Sequence, residues 1–368
     1  MRYRTLGRTG LKVSQLGFGA MRLPMVGEDE EARVDREKAI PMIHRAFEGG
    51  VNYIDTAVGY CNRDSQRAVG EALEGWRDRI VVSTKNHDYG ESEKAWWQNL
   101  EDSLEYLRTD YIDIYNHHGI NREKLRDHVQ PRVSKWMQKA KDQGLIRHIC
   151  TSFHDEPEVL FEVIDTDYVD VITVQYNMLD QKLADAIDHA REKNVGVVVM
   201  GPVGGGRLGA DSDVLGSLLP EIKRVPELAL RFVLSNPSVT VALSGMSTME
   251  HVEENLAAAS DEVSLSPEDR AIIARHLERL ESMAELYCTG CEYCMPCPVE
   301  VDIAGIFKNY NLAKVYGLTE AARERYENIR RRGRSAEECV HCGECLDQCP
   351  QNIDIPSQLD QADELLSA

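Results

Sequence analysis

A run of about 18 apolar residues, the least that spans a bilayer as a helix, occurs nowhere in this 368-residue chain, so no transmembrane helix is expected. Positive charge is scarce. Forty-two Lys and Arg stand against 62 Asp and Glu, for a formal net charge of −20. That balance favours solubility and argues against a nucleic-acid or anionic-membrane partner. The sequence shows no secretory leader, no low-complexity tract and no fixed-period repeat. A reducing, cytoplasmic setting is therefore expected, and with it few disulfides.

What is present in abundance is cysteine, and it is concentrated. Eight of the ten lie in two tight runs near the C-terminus: Cys288, Cys291, Cys294 and Cys297 before Pro298, and Cys339, Cys342, Cys345 and Cys349 before Pro350. The second run reads C-x2-C-x2-C-x3-C-P, the spacing that wraps a 4Fe–4S cluster in bacterial ferredoxins. Three thiolates from one short loop reach three corners of a cubane, and the cysteine before proline serves the neighbouring cluster. Two runs thus imply two 4Fe–4S clusters. Cys288, Cys291, Cys294 and Cys349 are expected on one, and Cys339, Cys342, Cys345 and Cys297 on the other. Zinc is the rival, since it also takes C-x2-C units, but usually in pairs. The first run closes with x2 instead of x3 before Cys297, which leaves open which cysteine is donated across. Cys61 and Cys150 stand alone and read as ordinary thiols.

Upstream, β-rich apolar runs recur at Val51–Ile54, Ile80–Ser83, Tyr111–Tyr115, His148–Thr151, Val171–Val174, Val195–Val199 and Val239–Leu243. Helical patterns separate them, at Arg36–Glu48, Glu93–Leu107, Lys135–Gln143, Pro157–Ile164, Gln181–Lys193 and Val225–Leu234. An opening hairpin turning at Arg8-Thr9-Gly10 is followed by Ser14–Gly19, which leads into a first strand. Eight β/α units over some 280 residues predict a TIM (β/α)8 barrel. A doubly wound sheet is the alternative, but no G-x-G-x-x-G turn follows the first strand. Gly204-Gly205-Gly206 reads as a loop, flexible or phosphate-cradling. The expected division is a barrel over 1–285 and a small cluster domain over 286–368. Helices are predicted at Pro267–Leu286, Ile303–Tyr316 and Thr319–Arg332, and Arg330–Arg334 reads as a solvated helix end or a docking patch.

In such a barrel the polar residues at C-terminal strand ends face the active site. Asp55 ends the second strand, with Tyr60 five residues on; Lys85 ends the third and His118 the fourth. Alone, each has a bland role as helix cap, packing ring, solvated cation or core histidine. Together on consecutive strand ends they suggest a site. These four residues, with the stretch Tyr3-Arg4-Thr5-Leu6-Gly7-Arg8-Thr9-Gly10-Leu11-Lys12-Val13-Ser14, resemble the aldo-keto reductases over residues 1 to about 285. The resemblance implies a catalytic tetrad of Asp55, Tyr60, Lys85 and His118, with His117 falling where that family usually has leucine. The tail, two cysteine runs separated by two helices, resembles an alpha-helical ferredoxin domain, as in the iron–sulfur branch of the family.

Carbonyl reduction by hydride leaves an alkoxide that needs a proton. Tyr60 is the expected general acid, and Lys85 is expected to lower its pKa from about 10. Asp55 would hold Lys85 charged, and His118 would orient the carbonyl. The resemblance also implies nicotinamide contacts from Ser152 and Gln175, with Gly201 following the position where the family stacks an aromatic and Met200 stands here. Gly245, Glu254 and Asn255 would lie at the adenine end. The basic residues that commonly meet a 2′-phosphate are missing there, and Glu250, Glu253 and Glu254 make the area acidic. NADP(H) is the family expectation, with NAD(H) or a flavin as alternatives. The leading reading is an oxidoreductase acting on a small-molecule carbonyl or alcohol. The alternatives are an electron-transfer module docking a ferredoxin or flavoprotein partner, and a structural role for the clusters.

Overall fold

The computed structural model describes all residues except 88–91, 207, 210, 220, 223, 261–264, 283–287, 289–293 and 350–352. The chain divides into two compact units, Met1–Pro202 with Ala229–Leu265, and Val203–Leu228 with Ser266–Ala368. The sequence-based division at 285 follows the cysteine runs. The grouping by packing also places 203–228 and the helix Pro267–Ser282 with the C-terminal unit.

The first unit is built on a closed barrel of parallel strands. In chain order these are β1 (Leu16–Gly19), β2 (Tyr53–Asp55), β3 (Val81–Asn86), β4 (Ile112–Ile120), β5 (Ile146–Phe153), β6 (Val171–Gln175), β7 (Gly196–Met200) and β8 (Val241–Gly245). Each pairs with its sequence neighbour, and β8 returns to β1 through Leu243↔Gly17 and Ser244↔Phe18. Strands covered on both faces are apolar throughout rather than alternating, as in the fully buried Val197, Val198 and Val199. The predicted strand positions all recur within a few residues. So do the helices between them, Arg36–Glu48 and Val225–Leu234 with the same limits. The helix Ser65–Ala72 and a hairpin of Met25–Val26 with Arg33–Val34 were not anticipated.

The opening hairpin, Tyr3–Thr5 with Lys12–Ser14, closes the N-terminal end of the barrel. Its Leu6 and Val13 join Tyr53, Ile114, Cys150, Val171, Val198 and Val241 in one buried cluster. Gly196, the first residue of β7, makes room for this plug: a Cβ there would lie 2.7 Å from Leu6 Cδ1. Cys150 is a core thiol, 3.5 Å from Thr173 Oγ1, and burial pushes its pKa up.

In the second unit Ile303–Lys314, Thr319–Arg330 and Ile355–Ser367 form a small helical core around Ile306, Phe307, Tyr310, Ala322, Tyr326, Leu359 and Ala362. Asp302 and Asp354 cap the first and last of these by accepting from Gly305 N and Ser357 N. The buried Tyr326 hydroxyl donates to Asp363 and accepts from Ala336 N at 3.1 Å. The segment 203–228 is tied in through Ser212 Oγ, which donates to Tyr316 O at 2.6 Å. Among the described residues, no helix is long and apolar enough to cross a membrane.

Candidate active site and cysteine-lined cavity

Asp55 is the last residue of β2 and Lys85 the fifth of β3. Both are almost wholly buried, at 4% and 2% exposure. An isolated ammonium would not be stable there, and the strands supply its partners. Lys85 Nζ donates to Asp55 Oδ1 and, at 2.9 Å, to Thr56 O. Ser83 Oγ donates to the other carboxylate oxygen at 2.7 Å. Asn116 Nδ2 reaches Ser83 Oγ at 3.0 Å, and Thr173 Oγ1 donates to Asn116 Oδ1 at 3.3 Å. The ion pair therefore sits at the end of a chain of hydrogen bonds from β6 to β2. Sequence reading missed Ser83, Asn116 and Thr173. Their only signal is that inward polar residues interrupt otherwise apolar strands.

The Tyr60 ring lies over this pair, its centroid 4.8 Å from Lys85 Nζ. It meets the His118 ring edge-on at 6.1 Å. The alternation of β4 separates the two histidines. His118 faces Tyr60, whereas the buried His117 holds Tyr168 Oη at 3.0 Å through Nε2. The structure thus brings Asp55, Tyr60, Lys85 and His118 together and leaves His117 outside the group.

The electrostatics correct one expectation. Burial raises the Tyr60 pKa above its ordinary value. Lys85 pulls it down, as expected, but Asp55 opposes that pull and burial outweighs it. Lys85 itself is held protonated: burial favours the neutral amine, yet Asp55 and Tyr60 together offset it and the pKa is raised. His118 is pushed down to about 4, chiefly by burial and then by Lys85. The resting site is therefore a protonated phenol, an ammonium paired to a carboxylate, and a neutral imidazole. This arrangement holds a transferable proton at Tyr60 Oη and a cation beside the phenolate that its departure would create.

The loop carrying Tyr60 is held in an unusual conformation. Cys61, Asn62 and Arg63 have φ of 51°, 51° and 66°, a left-handed run that costs roughly 1–2 kcal/mol per L-residue. Tertiary contacts stabilise it. Asn62 Nδ2 donates to Asp29 O at 2.8 Å, and Arg36 forks onto Asp64, whose Oδ2 also accepts Val34 N at 2.8 Å. Ser65 N donates to Tyr60 O at 3.2 Å.

In the second unit Cys294, Cys297, Cys339, Cys342 and Cys345 line a cavity of about 260 Å³, with Pro296, Pro298, Ile303 and Leu359 among its walls. Burial raises the Cys345 thiol pKa, and Cys339, Cys342 and Cys297 add to the rise. These four thiols are thus near enough to feel one another's charge. Among the described residues no three side chains converge tightly enough to hold a single metal ion. The five thiols share the walls of one cavity instead. Cys288 is half-buried and Cys349 is bonded through its amide to Leu346 O at 3.3 Å. Cys291 lies outside the described residues.

Residues 15–215 match the aldo/keto reductase family, more than half of the chain. The chain belongs to that family. Residues 287–353 match a 4Fe-4S dicluster domain. Among its relatives, L-galactose dehydrogenase of Arabidopsis thaliana is 30% identical over 296 residues, 73% of this chain and 91% of that protein. The NADH-specific methylglyoxal reductase of Escherichia coli is 27% identical over 325 residues, 75% and 98% of the two chains. Among solved structures, the holo form of an aldo-keto reductase from Bacillus halodurans is 32% identical with a TM-score of 0.63, covering 75% of this chain and 96% of that one. The protein is an aldo-keto reductase-like oxidoreductase with an appended 4Fe-4S domain.

The residues expected at an aldo-keto reductase cofactor groove occupy the same barrel rim. Ser152 Oγ accepts Gly119 N at 2.8 Å and donates to His117 O at 3.4 Å. Asn255 Nδ2 donates to Ser244 Oγ at 2.9 Å. Glu254 is half-buried in the helix Met249–Ala258, and Gly245 ends β8 beside Gly19. Gly201 has φ +67°, and a Cβ there would fall 2.5 Å from Gln175 Nε2. Gln175 is therefore packed against the Gly201 backbone, where an added Cβ would displace its amide. Gly201→Ala is expected to dislodge the Gln175 amide and weaken nicotinamide-cofactor binding by about tenfold. Fluorescence titration with NADPH and NADH measures this, and unchanged affinity for both would show that Gln175 makes no cofactor contact.

Proposed function

We propose that this chain reduces a small carbonyl compound to the alcohol, or runs the reverse reaction, in the cytoplasm, with NADP(H) or NAD(H) as hydride carrier. The observation that carries this reading is the buried Asp55–Lys85 pair beneath Tyr60, with His118 on the other side of the ring. His118, neutral at ordinary pH, donates one N–H to the carbonyl oxygen and fixes its direction. Tyr60 Oη gives its proton to the oxygen as negative charge develops there. Lys85 stabilises the phenolate left behind, and Asp55 keeps Lys85 charged. The nicotinamide, when bound, supplies the hydride. Ser152 and Gln175 would hold its carboxamide, with Gly201 beside Gln175. Gly245, Glu254 and Asn255 would lie at the adenine end. The acidity around Glu250, Glu253 and Glu254 is what keeps NAD(H) beside NADP(H) in this reading.

Two 4Fe–4S clusters in the C-terminal unit would supply one-electron chemistry. Cys297, Cys339, Cys342 and Cys345 would hold one, and Cys288, Cys291, Cys294 and Cys349 the other. The cavity lined by five of these thiols supports this. Val340 and Leu346, 63% and 41% exposed within the second run, favour a second role alongside the first: docking of a ferredoxin or flavoprotein that exchanges electrons with the clusters.

Protein purified anaerobically is expected to carry about eight iron and eight sulfide per chain and to oxidise NADPH or NADH only when a carbonyl compound is added. Iron-free or zinc-loaded protein would overturn the cluster assignment. Cofactor oxidation that needs no carbonyl would overturn the reductase assignment.

A further inference from the structure

Three neighbouring strands of the barrel deliver histidines to one sector of the rim, and the proton-transfer scheme uses only one of them. Asn86 of β3 stands opposite His117 of β4, and Ile120 of β4 opposite Phe153 of β5. His87 therefore falls beside His118, and His154 follows the end of β5, beyond a register shift between His117 and Ile120. His154 N donates to Ile120 O at 3.1 Å, which fixes it to the end of β4. Lys124 joins them from the turn after β4, its Nζ 3.0 Å from Gly119 O. Lys85, His154, His87 and Lys124, all basic, each act to lower the His118 pKa. Asp155, next to His154, is turned away. Its Oδ2 accepts Arg122 N and its Oδ1 accepts Glu156 N, both at 2.8 Å. Lys85 is paired with Asp55 and His118 is neutral, so Lys124 brings a further positive charge to this side of the reacting centre. His87 and His154 are exposed and Lys124 half-buried, so a solute can reach them.

We propose that the substrate is a carbonyl compound bearing a carboxylate, whose anionic end is held by Lys124 and His154 while its carbonyl lies between Tyr60 and His118. This rests on the reading of the site as a carbonyl reductase and narrows it to aldehyde or keto acids. Lys124 supplies the charge. The exposed His154 imidazole donates a hydrogen bond from the adjoining strand end. A neutral carbonyl compound of equal length would meet the same Tyr60 and His118 without this anchor.

The test compares succinic semialdehyde with butyraldehyde, which have the same chain length and differ in the carboxylate. It uses the full-length holoprotein and whichever of NADPH or NADH it oxidises. Wild-type kcat/KM is expected to favour succinic semialdehyde by at least about tenfold, the scale of a hydrogen bond to a charged group. Lys124→Met with His154→Gln should lose about that factor for succinic semialdehyde and no more than about threefold for butyraldehyde. Lys124→Arg, which keeps the charge, should retain the preference. No wild-type preference, or one that survives in the double variant, overturns the proposal. If the wild type reduces neither aldehyde, the reductase reading falls, and calorimetric titration with succinate then decides the anion site. Binding at least about fivefold weaker in the double variant sustains it, and equal binding removes it.

Discussion

Tyr60→Phe should lower carbonyl reduction by about 10³-fold or more, the upper part of the range for a positioned general acid, with iron content unchanged. The substitution removes one oxygen from a ring held by its Lys85 and His118 contacts, so the pocket keeps its shape and loses only the proton. The pH behaviour of the native protein follows from the same group. Because burial raises the Tyr60 pKa, the phenol stays protonated through neutral pH and above. Reduction, which needs the protonated form, should stay level until pH exceeds about 10 and then fall. Alcohol oxidation needs the phenolate, so its rate should climb with pH through that same range. His118 titrates at about 4, so it stays neutral across the whole span and should add no inflection above that. Initial rates in both directions between about pH 5 and about pH 10.5 give the profile. A Tyr60→Phe variant retaining a tenth of native turnover would remove Tyr60 from the proton's path, and an oxidation rate that falls with pH would contradict a buried, protonated phenol.

Sequence reading foresaw a Lys85 that lowers the Tyr60 pKa, and the pairwise effect is present with that sign. What it could not weigh is burial, because desolvation depends on how β2, β3, β4 and the Tyr60 loop pack around one oxygen. The barrel itself was legible because its strands are short, apolar and β-branched, and because helices of ordinary length separate them. The tetrad was legible because strand ends in this fold share one face. The choice between His117 and His118 came from the family pattern, and the pleat of β4 accounts for it physically by sending one ring to Tyr168 and the other to Tyr60. Local patterns gave no sign of the left-handed run Cys61–Arg63, since none of the three is glycine and the contacts holding it come from Asp29, Val34 and Arg36. Nor did they reveal that 203–228 packs with the C-terminal unit, a long-range pairing made by groups such as Ser212 and Tyr316. The helix Ile355–Ser367 was overlooked, although Asp354 before Pro356 is a start signal. The cysteine spacing, by contrast, needs no tertiary context, because the ligands of one cluster mostly share one loop.

Asp55→Asn is expected to be the most destabilising single exchange in the barrel. The asparagine is nearly isosteric and can still accept from Ser83, but it leaves the Lys85 ammonium buried without a counter-charge, with the neutral Thr56 O and Tyr60 as its partners. Removing one member of a buried ion pair typically costs about 3–5 kcal/mol. The sign with pH follows from Lys85. Its folded pKa is raised above the ordinary value of 10.5, so the stability the pair contributes is fully present below about 10.5 and lost as pH rises through the folded value. In Asp55→Asn, burial acts without its counter-charge, the lysine pKa falls, and the phenolate formed at Tyr60 has no reliable cation beside it. Turnover should drop by about 10²-fold or more. Lys85→Met added to Asp55→Asn separates the two consequences. Replacing both charges by uncharged groups of similar size is often close to neutral for stability, so the double variant should recover most of the lost stability while reduction stays at the Asp55→Asn level or below. Anaerobic urea denaturation at about pH 7, paired with initial rates, reads both quantities. A single variant as stable as the native protein would mean that the Lys85 amine is neutral when buried, and then neither it nor Asp55 could tune the phenol as proposed.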